Sequence, residues 1–208
     1  NDPSTIISDS LKVIAEGAFQ IDSAMVYATE GFMYGVEDQL NFTSDLQDSV
    51  EFNSPSQGVF KFKGSASAAL YQQILRGIEY VNTSDAPDTS LKTITFQVFG
   101  NEDSSETVSR YIQVIPVDDS PEKIADLQPI SLPEDVLDSL ALNLLSNYRD
   151  VDSPITFEIE SASDSILVEL KGDSVFVSSS PNWYGESKSF LYITVLSNEF
   201  ILQDSVDV

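Results

Sequence analysis

Two pairs of aspartates stand where their carboxylates could act together. Asp118-Asp119 precedes Ser120-Pro121 near the middle of the chain, and Asp150-Val151-Asp152 precedes Ser153-Pro154. In an extended segment residues i and i+2 project to one face, so Asp150 and Asp152 read as a single acidic unit. The chemistry that such groups serve is binding of a hard cation. Calcium takes about six to eight oxygen ligands, commonly carboxylates and carbonyls from several segments. Glu16, Asp85 and Asp88 offer further carboxylates from the first half, so all seven are candidate calcium ligands at a joint between two halves. Carboxylates about 4 Å apart repel by ~1 kcal/mol in water and ~4 kcal/mol at an effective dielectric of 20, so convergence favours a counter-ion. The same aspartates also suit solvated turns ahead of proline, and spacing leaves both readings open.

Other chemistries are easier to set aside. The 208 residues contain no histidine and no cysteine, which removes Ser–His–Asp and Cys–His catalysis, histidine-based zinc sites and disulfides. No glycine-rich phosphate loop of the common nucleotide-binding types is present. A carboxylate pair for glycoside cleavage can be nominated from any 34 acids, so that pattern carries no weight and the expectation is a non-enzyme. The net charge of −24 argues against nucleic acid and anionic membranes, which need clustered cations. No apolar run reaches the ~18–20 residues of a membrane span. The chain opens at Asn1 with no visible signal peptide, which predicts a segment of a longer polypeptide whose signal or anchor lies outside it.

The elements that would carry these residues read as strands. Leu91–Phe99 alternates Ile94, Phe96 and Val98 against Lys92, Thr93, Thr95 and Gln97, and Thr107–Val117 continues the theme. Ile155–Ile159, Ser165–Leu170, Ser174–Val177 and Ser189–Val195 repeat it in the second half, with turn residues between. One helix is predicted over Ser65–Leu75, with Ser65 as its N-cap. Asn1-Asp2-Pro3 and Asp118-Asp119-Ser120-Pro121 are each followed by an acidic residue about 15 positions on, Glu16 and Glu134, which suggests a domain-sized repeat. The expected organisation is all-β, with two tandem β-sandwiches over residues 1–118 and 119–208.

Several motifs resemble bacterial cadherin-like repeats, akin to chondroitin-sulfate-proteoglycan-type repeats of adhesins. They are Gly35-Val36-Glu37-Asp38-Gln39-Leu40-Asn41-Phe42, Gly58 through Ser67, and Tyr71-to-Leu75 followed by Ile78-Glu79-Tyr80-Val81-Asn82-Thr83-Ser84-Asp85. Asp118-Asp119-Ser120-Pro121 stands where the family has Asn-Asp-x-Pro. The second half resembles a related form through Glu134-Asp135, Asp150-Val151-Asp152 and Pro181-Asn182-Trp183-Tyr184-Gly185. The resemblance implies immunoglobulin-like Greek-key sandwiches with calcium between successive domains. The Asp-rich loop of the family is replaced by Asn101-Glu102-Asp103 and Asn198-Glu199, and no Asp-x-Asp pair stands near Asp22.

The expected function is therefore a non-catalytic, calcium-stiffened structural or adhesion module of a secreted or cell-surface bacterial protein. Its partners would be calcium, neighbouring repeats of the same polypeptide and a surface polysaccharide or protein. The alternative is recognition of polysaccharide or protein on the sandwich scaffold, with Tyr34, Tyr148, Trp183 and Tyr184 as candidate aromatic platforms. Those rings equally suit core or turn packing.

Overall fold

The computed structural model describes residues 3–17, 19–42, 50–100, 103–132, 137–183 and 189–208. Among the described residues the chain is all-β apart from one α-helix and one short 3-10 turn, and it divides into two compact units, Asn1–Pro116 and Val117–Val208. Asp118, like Asp119, thus belongs to the second unit. No helix among the described residues is long and apolar enough to cross a membrane.

In unit 1 the strands are β1 (Thr5–Ile6), β2 (Ile21–Glu30), β3 (Asp38–Phe42), β4 (Glu51–Ser56), β5 (Val59–Ala66), β6 (Ile78–Asn82), β7 (Lys92–Gly100), β8 (Asp103–Ser104) and β9 (Val108–Ile112). They form a three-stranded sheet, β1-β6-β3, and a six-stranded sheet, β4-β5-β2-β7-β8 with β9 also on β7. Antiparallel pairing sets β1 on β6 with Thr5 opposite Tyr80. The period-two pattern explains the layering: Ala24 and Val26, Phe60 and Phe62, and Ile94 and Phe96 point into one core, joined there by Phe42 and Ile78 of the smaller sheet. Phe62 packs edge-on against Phe42, ring centroids 4.9 Å apart.

The α-helix α1 (Ala68–Arg76) carries the chain from β5 to β6 and so from one sheet to the other. It begins three residues later than Ser65, because Ser67 is the N-cap and its hydroxyl accepts from the Leu70 N–H at 3.3 Å. Tyr71, Ile74 and Leu75 are buried, and the Tyr71 hydroxyl donates to the Gly64 carbonyl at 2.7 Å. This is a helix packed on its own sandwich.

Unit 2 holds β10 (Glu122–Lys123), β11 (Ser139–Asn143), β12 (Tyr148–Arg149), β13 (Thr156–Ser161), β14 (Ile166–Lys171), β15 (Ser174–Ser179), β16 (Phe190–Ser197) and β17 (Phe200–Asp207). Two three-stranded sheets, β11-β15-β14 and β13-β16-β17, enclose Ile166, Val175, Val177, Leu191, Ile193, Val195 and Val206, and β10 pairs with β12. The four strands expected in this half all form, each within a residue or two of its predicted bounds. In the first half β9 is shorter than predicted, ending at Ile112, and the run beyond it to Val117 is irregular. The hairpin β16–β17 closes through Asn198-Glu199, with Ser197 opposite Phe200. Asn198 adopts φ +44°, a conformation its short polar side chain tolerates.

Candidate functional site

Two clusters of carboxylates are built into the fold, one in each unit. The cluster in unit 2 contains the predicted aspartates. Tyr148 is fully buried, so β12 is anchored in the core and delivers Asp150 at its end. The next residues turn rather than extend: Asp150 Oδ1 accepts from the N–H groups of Asp152 at 3.1 Å and Ser153 at 3.0 Å. The two carboxyls do come together, but through this aspartate turn and not through the strand-like projection expected of an Asp-x-Asp segment.

Asp118 joins them. Its Oδ1 accepts from Asn198 Nδ2 at 2.8 Å and from the Ser153 hydroxyl, and Asn198 Nδ2 also reaches Ser153 Oγ at 2.8 Å. The positive φ of Asn198 swings the tip of the β16–β17 hairpin into this position. Asp119 is exposed, and its backbone N–H lies against the Asp152 carboxylate.

The electrostatics of the pair are opposed. Burial and the neighbouring Asp150 push the Asp152 carboxyl above its ordinary value, although the Asp119 N–H draws it down. Burial also works against ionised Asp150, but the nearby Ser197 hydroxyl and the N–H groups of Asp152 and Ser153 outweigh it and hold that carboxyl low. Asp150 Oδ2, Asp152 Oδ1 and Ser197 Oγ are buried and face one another, and none of them makes a hydrogen bond of good geometry. Buried oxygens in that state cost free energy, and all three are hard ligands of the kind a divalent cation takes. The donor set therefore fits such a cation in chemistry. No group of three or more acidic side chains among the described residues is already drawn to metal-ligand spacing.

Unit 1 places its predicted ligands differently. Glu16 and Asp85 are exposed. Asp88 accepts from the Ser90 N–H at 2.7 Å and from the Ser90 hydroxyl, which hold its carboxyl below the ordinary value with help from Lys92. It lies beside a cluster that was not predicted as a site. Lys92 is fully buried, and its Nζ donates to the carbonyls of Gly31 at 3.0 Å and Asp88 at 3.2 Å. Asp38 Oδ2 stands 3.2 Å from the same nitrogen, Asp88 Oδ1 3.8 Å and Glu37 Oε1 3.9 Å. Gly31 is required there, because at φ +73° an added Cβ would lie 2.4 Å from the Leu91 carbonyl oxygen.

The acids around Lys92 are firmly held. Asp38 Oδ2 accepts from the Met33 N–H at 2.7 Å, and Oδ1 accepts from Tyr80 at 2.5 Å and Asn82 at 3.0 Å. Glu37 accepts from the Asp88 N–H at 3.0 Å. Burial and then Asp38 raise the Tyr80 hydroxyl, and the same two causes raise Tyr34 to about 12. A signal for this cluster is present in the chain: Lys92 is in phase with Ile94 and Phe96, the inward residues of β7, and not with Thr93, Thr95 and Gln97, with which the alternation expected from sequence groups it. Ser153 and Ser197 had no comparable signal, and Asn198 stood out only through Asn198-Glu199 replacing the Asp-rich loop that the resemblance implies.

Of the candidate platforms, Tyr148 is buried, Tyr34 stacks on Phe32 at 5.2 Å, and Trp183 packs on the unit 2 core. Tyr184 lies outside the described residues, as do Glu134 and Asp135.

No protein-family model matches this chain, and no curated protein does. Among solved structures it is similar to an endo-fucoidan hydrolase of glycoside hydrolase family 107, MfFcnA9, with 13% identity over 81% of this chain and a TM-score of 0.33. A variant of a second such hydrolase, MfFcnA4, gives 13% identity over 83% and a TM-score of 0.32. The chain spans about a quarter of the length of each, 27% and 24%. Likeness at this level establishes neither a shared activity nor a shared site.

Proposed function

We propose that the chain is a non-catalytic, calcium-binding structural or adhesion module of a secreted or cell-surface bacterial protein, built from tandem cadherin-like sandwiches. The observation that carries the reading is the set of buried oxygens of Asp150, Asp152 and Ser197 that face one another, beside Asp118, without a hydrogen bond of good geometry. Asp150 and Asp152 would hold the ion, with Asp118 and Asp119 completing the donor set from the run that follows Pro116. The ion would supply positive charge to carboxylates that otherwise oppose one another, and it would fix the Val117–Ser120 run. Stiffening of the joint between neighbouring repeats is the expected result. Glu16 and Asp85 retain only their exposed carboxylates as a qualification, and Asp88 is committed to Ser90 and Lys92.

Trp183 is the sole tryptophan and packs on the unit 2 core, so its fluorescence reports that unit. With a Kd near 10⁻³ M, about 10 mM calcium should stabilise unit 2 by about 1.4 kcal/mol relative to EDTA. An unchanged fluorescence melting midpoint together with an unchanged small-angle scattering profile rejects the proposal.

A second reading rests on the outer face of the six-stranded sheet. A groove of about 480 Å³ there is lined by Lys61, Lys63, Asn53, Asp22, Glu51 and Phe99 among others, hydrogen-bonding groups of both kinds beside an aromatic ring, a mixture that suits a sugar. Polysaccharide recognition would use this face rather than the four aromatic residues expected from sequence. Glycan-array binding that is lost in Lys61→Ala/Lys63→Ala would support it, and an array without hits would reject it.

A further inference from the structure

The groove on the outer face of the six-stranded sheet follows from one row of cross-strand neighbours. Glu51 on β4 stands opposite Lys63 on β5, Lys63 opposite Ser23 on β2, and Ser23 opposite Phe99 on β7. Ser23 is the smallest of the four, so the face dips between the Lys63 stem and the Phe99 ring. Phe62 is fully buried, which turns Lys61 and Lys63 outward together, about 6.6 Å apart along the strand. β4 is the edge strand, so among the described residues no further strand closes the groove beyond Glu51.

The charge of the lining is balanced. Asp22 and Glu51 offset Lys61 and Lys63, so the groove carries two charges of each sign and none in excess. Lys61, Lys63 and Glu51 are exposed and form no ion pair among the described residues, although Glu51 and Lys63 are register partners. Water satisfies these groups, and a ligand can take its place. The chain around them carries a net charge of −24, a field that repels a polyanion at long range. A polycation meets the two lysines at short range. An uncharged polymer rich in hydroxyl groups meets neither penalty.

We propose that this groove binds an uncharged polysaccharide: Lys61 and Lys63 donate to its hydroxyl and ring oxygens, Glu51 accepts from its hydroxyls, and Phe99 packs against the face of a sugar ring. The proposal rests on the polysaccharide reading of the same face and names the class of polymer. At about 480 Å³ the groove falls within the ~300–1,000 Å³ of small-molecule sites, so it takes a short stretch of chain. Recognition through hydrogen bonds and ring packing is insensitive to ionic strength, whereas lysine contacts to a polyanion weaken as salt screens them.

The test is surface plasmon resonance of the full chain, in EDTA, over immobilised laminarin, galactomannan and xyloglucan as uncharged polymers, alginate and carrageenan as anionic ones, and polylysine. At least one uncharged polymer should bind, with a Kd that changes less than about twofold between about 50 and 500 mM sodium chloride. Lys61→Ala/Lys63→Ala should weaken it at least about tenfold, the loss of two ordinary hydrogen bonds. Lys61→Gln/Lys63→Gln, which removes the charge and keeps a donor on each stem, should stay within about threefold of the wild type. Both pairs of side chains are exposed, so an unchanged melting midpoint serves as the folding control.

Binding confined to alginate or carrageenan, lost at high salt and lost equally in both double variants, overturns the uncharged ligand and leaves the polysaccharide reading of the groove standing. Binding to an uncharged polymer that survives Lys61→Ala/Lys63→Ala moves recognition off this groove and overturns both. Binding of polylysine alone makes a basic polypeptide the partner and also overturns both, as does a chain that binds none of the polymers.

Discussion

The two carboxylate clusters solve one electrostatic problem in opposite ways. Around Asp38 the opposing charge is covalently supplied, and nearly every oxygen has a donor: Met33, Tyr80, Asn82 and the Lys92 ammonium. Around Asp150 and Asp152 no lysine or arginine forms an ion pair among the described residues, and buried oxygens face one another without a hydrogen bond of good geometry. A buried ion pair is costly to form but far costlier to break by halves, because the survivor is left as an uncompensated charge. A cluster of carboxylates alone is instead strained by its own repulsion and improves when charge is removed or neutralised. The sign of a mutation's effect therefore distinguishes a structural ion pair from a site built for an external cation.

The largest effect is expected from Asp38→Ala. It leaves a fully buried ammonium short of its nearest carboxylate and strips Tyr80 and Asn82 of their acceptor, and should cost unit 1 about 3–5 kcal/mol. Urea unfolding followed by hydrogen exchange in residues 80–92 reads it, and added calcium should not repair it. An effect below about 1 kcal/mol would place this pair with ordinary surface bridges and dissolve the contrast.

Asp152→Asn should act in the other direction. In EDTA the substitution removes a carboxylate that burial and Asp150 already disfavour, so the Trp183 melting midpoint should rise. The calcium-dependent increase should disappear in the same variant. A lower midpoint in EDTA would show that ionised Asp152 is a structural group, as Asp38 is.

The smallest effect sharpens the comparison from within unit 2, which has a lysine pair of its own. Lys123 Nζ lies 2.8 Å from Asp204 Oδ2, but both side chains reach solvent. Burial opposes the charged form of Asp204, yet Lys123 and the Tyr148 hydroxyl prevail and lower it from 3.8. A carboxyl lowered on folding adds stability that is complete above the unfolded value. That stability is lost as pH falls through the folded one. Asp204→Asn should therefore flatten the loss of unit 2 stability below about pH 4, and at neutral pH cost at most about 1 kcal/mol after solvent screening. A steeper acid limb in the variant would reverse the assignment.

The all-β organisation was legible because period-two patterns such as Ile94, Phe96 and Val98 report a half-buried strand directly. The helix was legible except for its start, since Ser65 and Ser67 both suit an N-cap and only the hydroxyl geometry separates them. Asp118, Asp150 and Asp152 could be nominated because turns before proline are local features. What closes on them could not. Asn198 is 80 residues from Asp118 in sequence and meets it because a hairpin end happens to face that turn. Lys92 is a different case: its position carries the inward phase of Ile94 and Phe96, and grouping it with Thr93, Thr95 and Gln97 goes against that phase. A charged residue in the buried phase of a strand is itself the sign of a buried partner.

The pairing of β1 with β6 sets a condition on how the chain matures. Thr5 finds its register only against Tyr80, so the smaller sheet of unit 1 cannot be completed until β6 has formed, with α1 already in place between the sheets. Unit 2 is built largely from neighbours, with β14 on β15 and β16 on β17 joined by two-residue turns. Local pairings close quickly and distant ones slowly. Unit 2 should thus refold ahead of unit 1 in a test tube, whereas synthesis presents the slower unit first and gives it the time that its long-range closure demands.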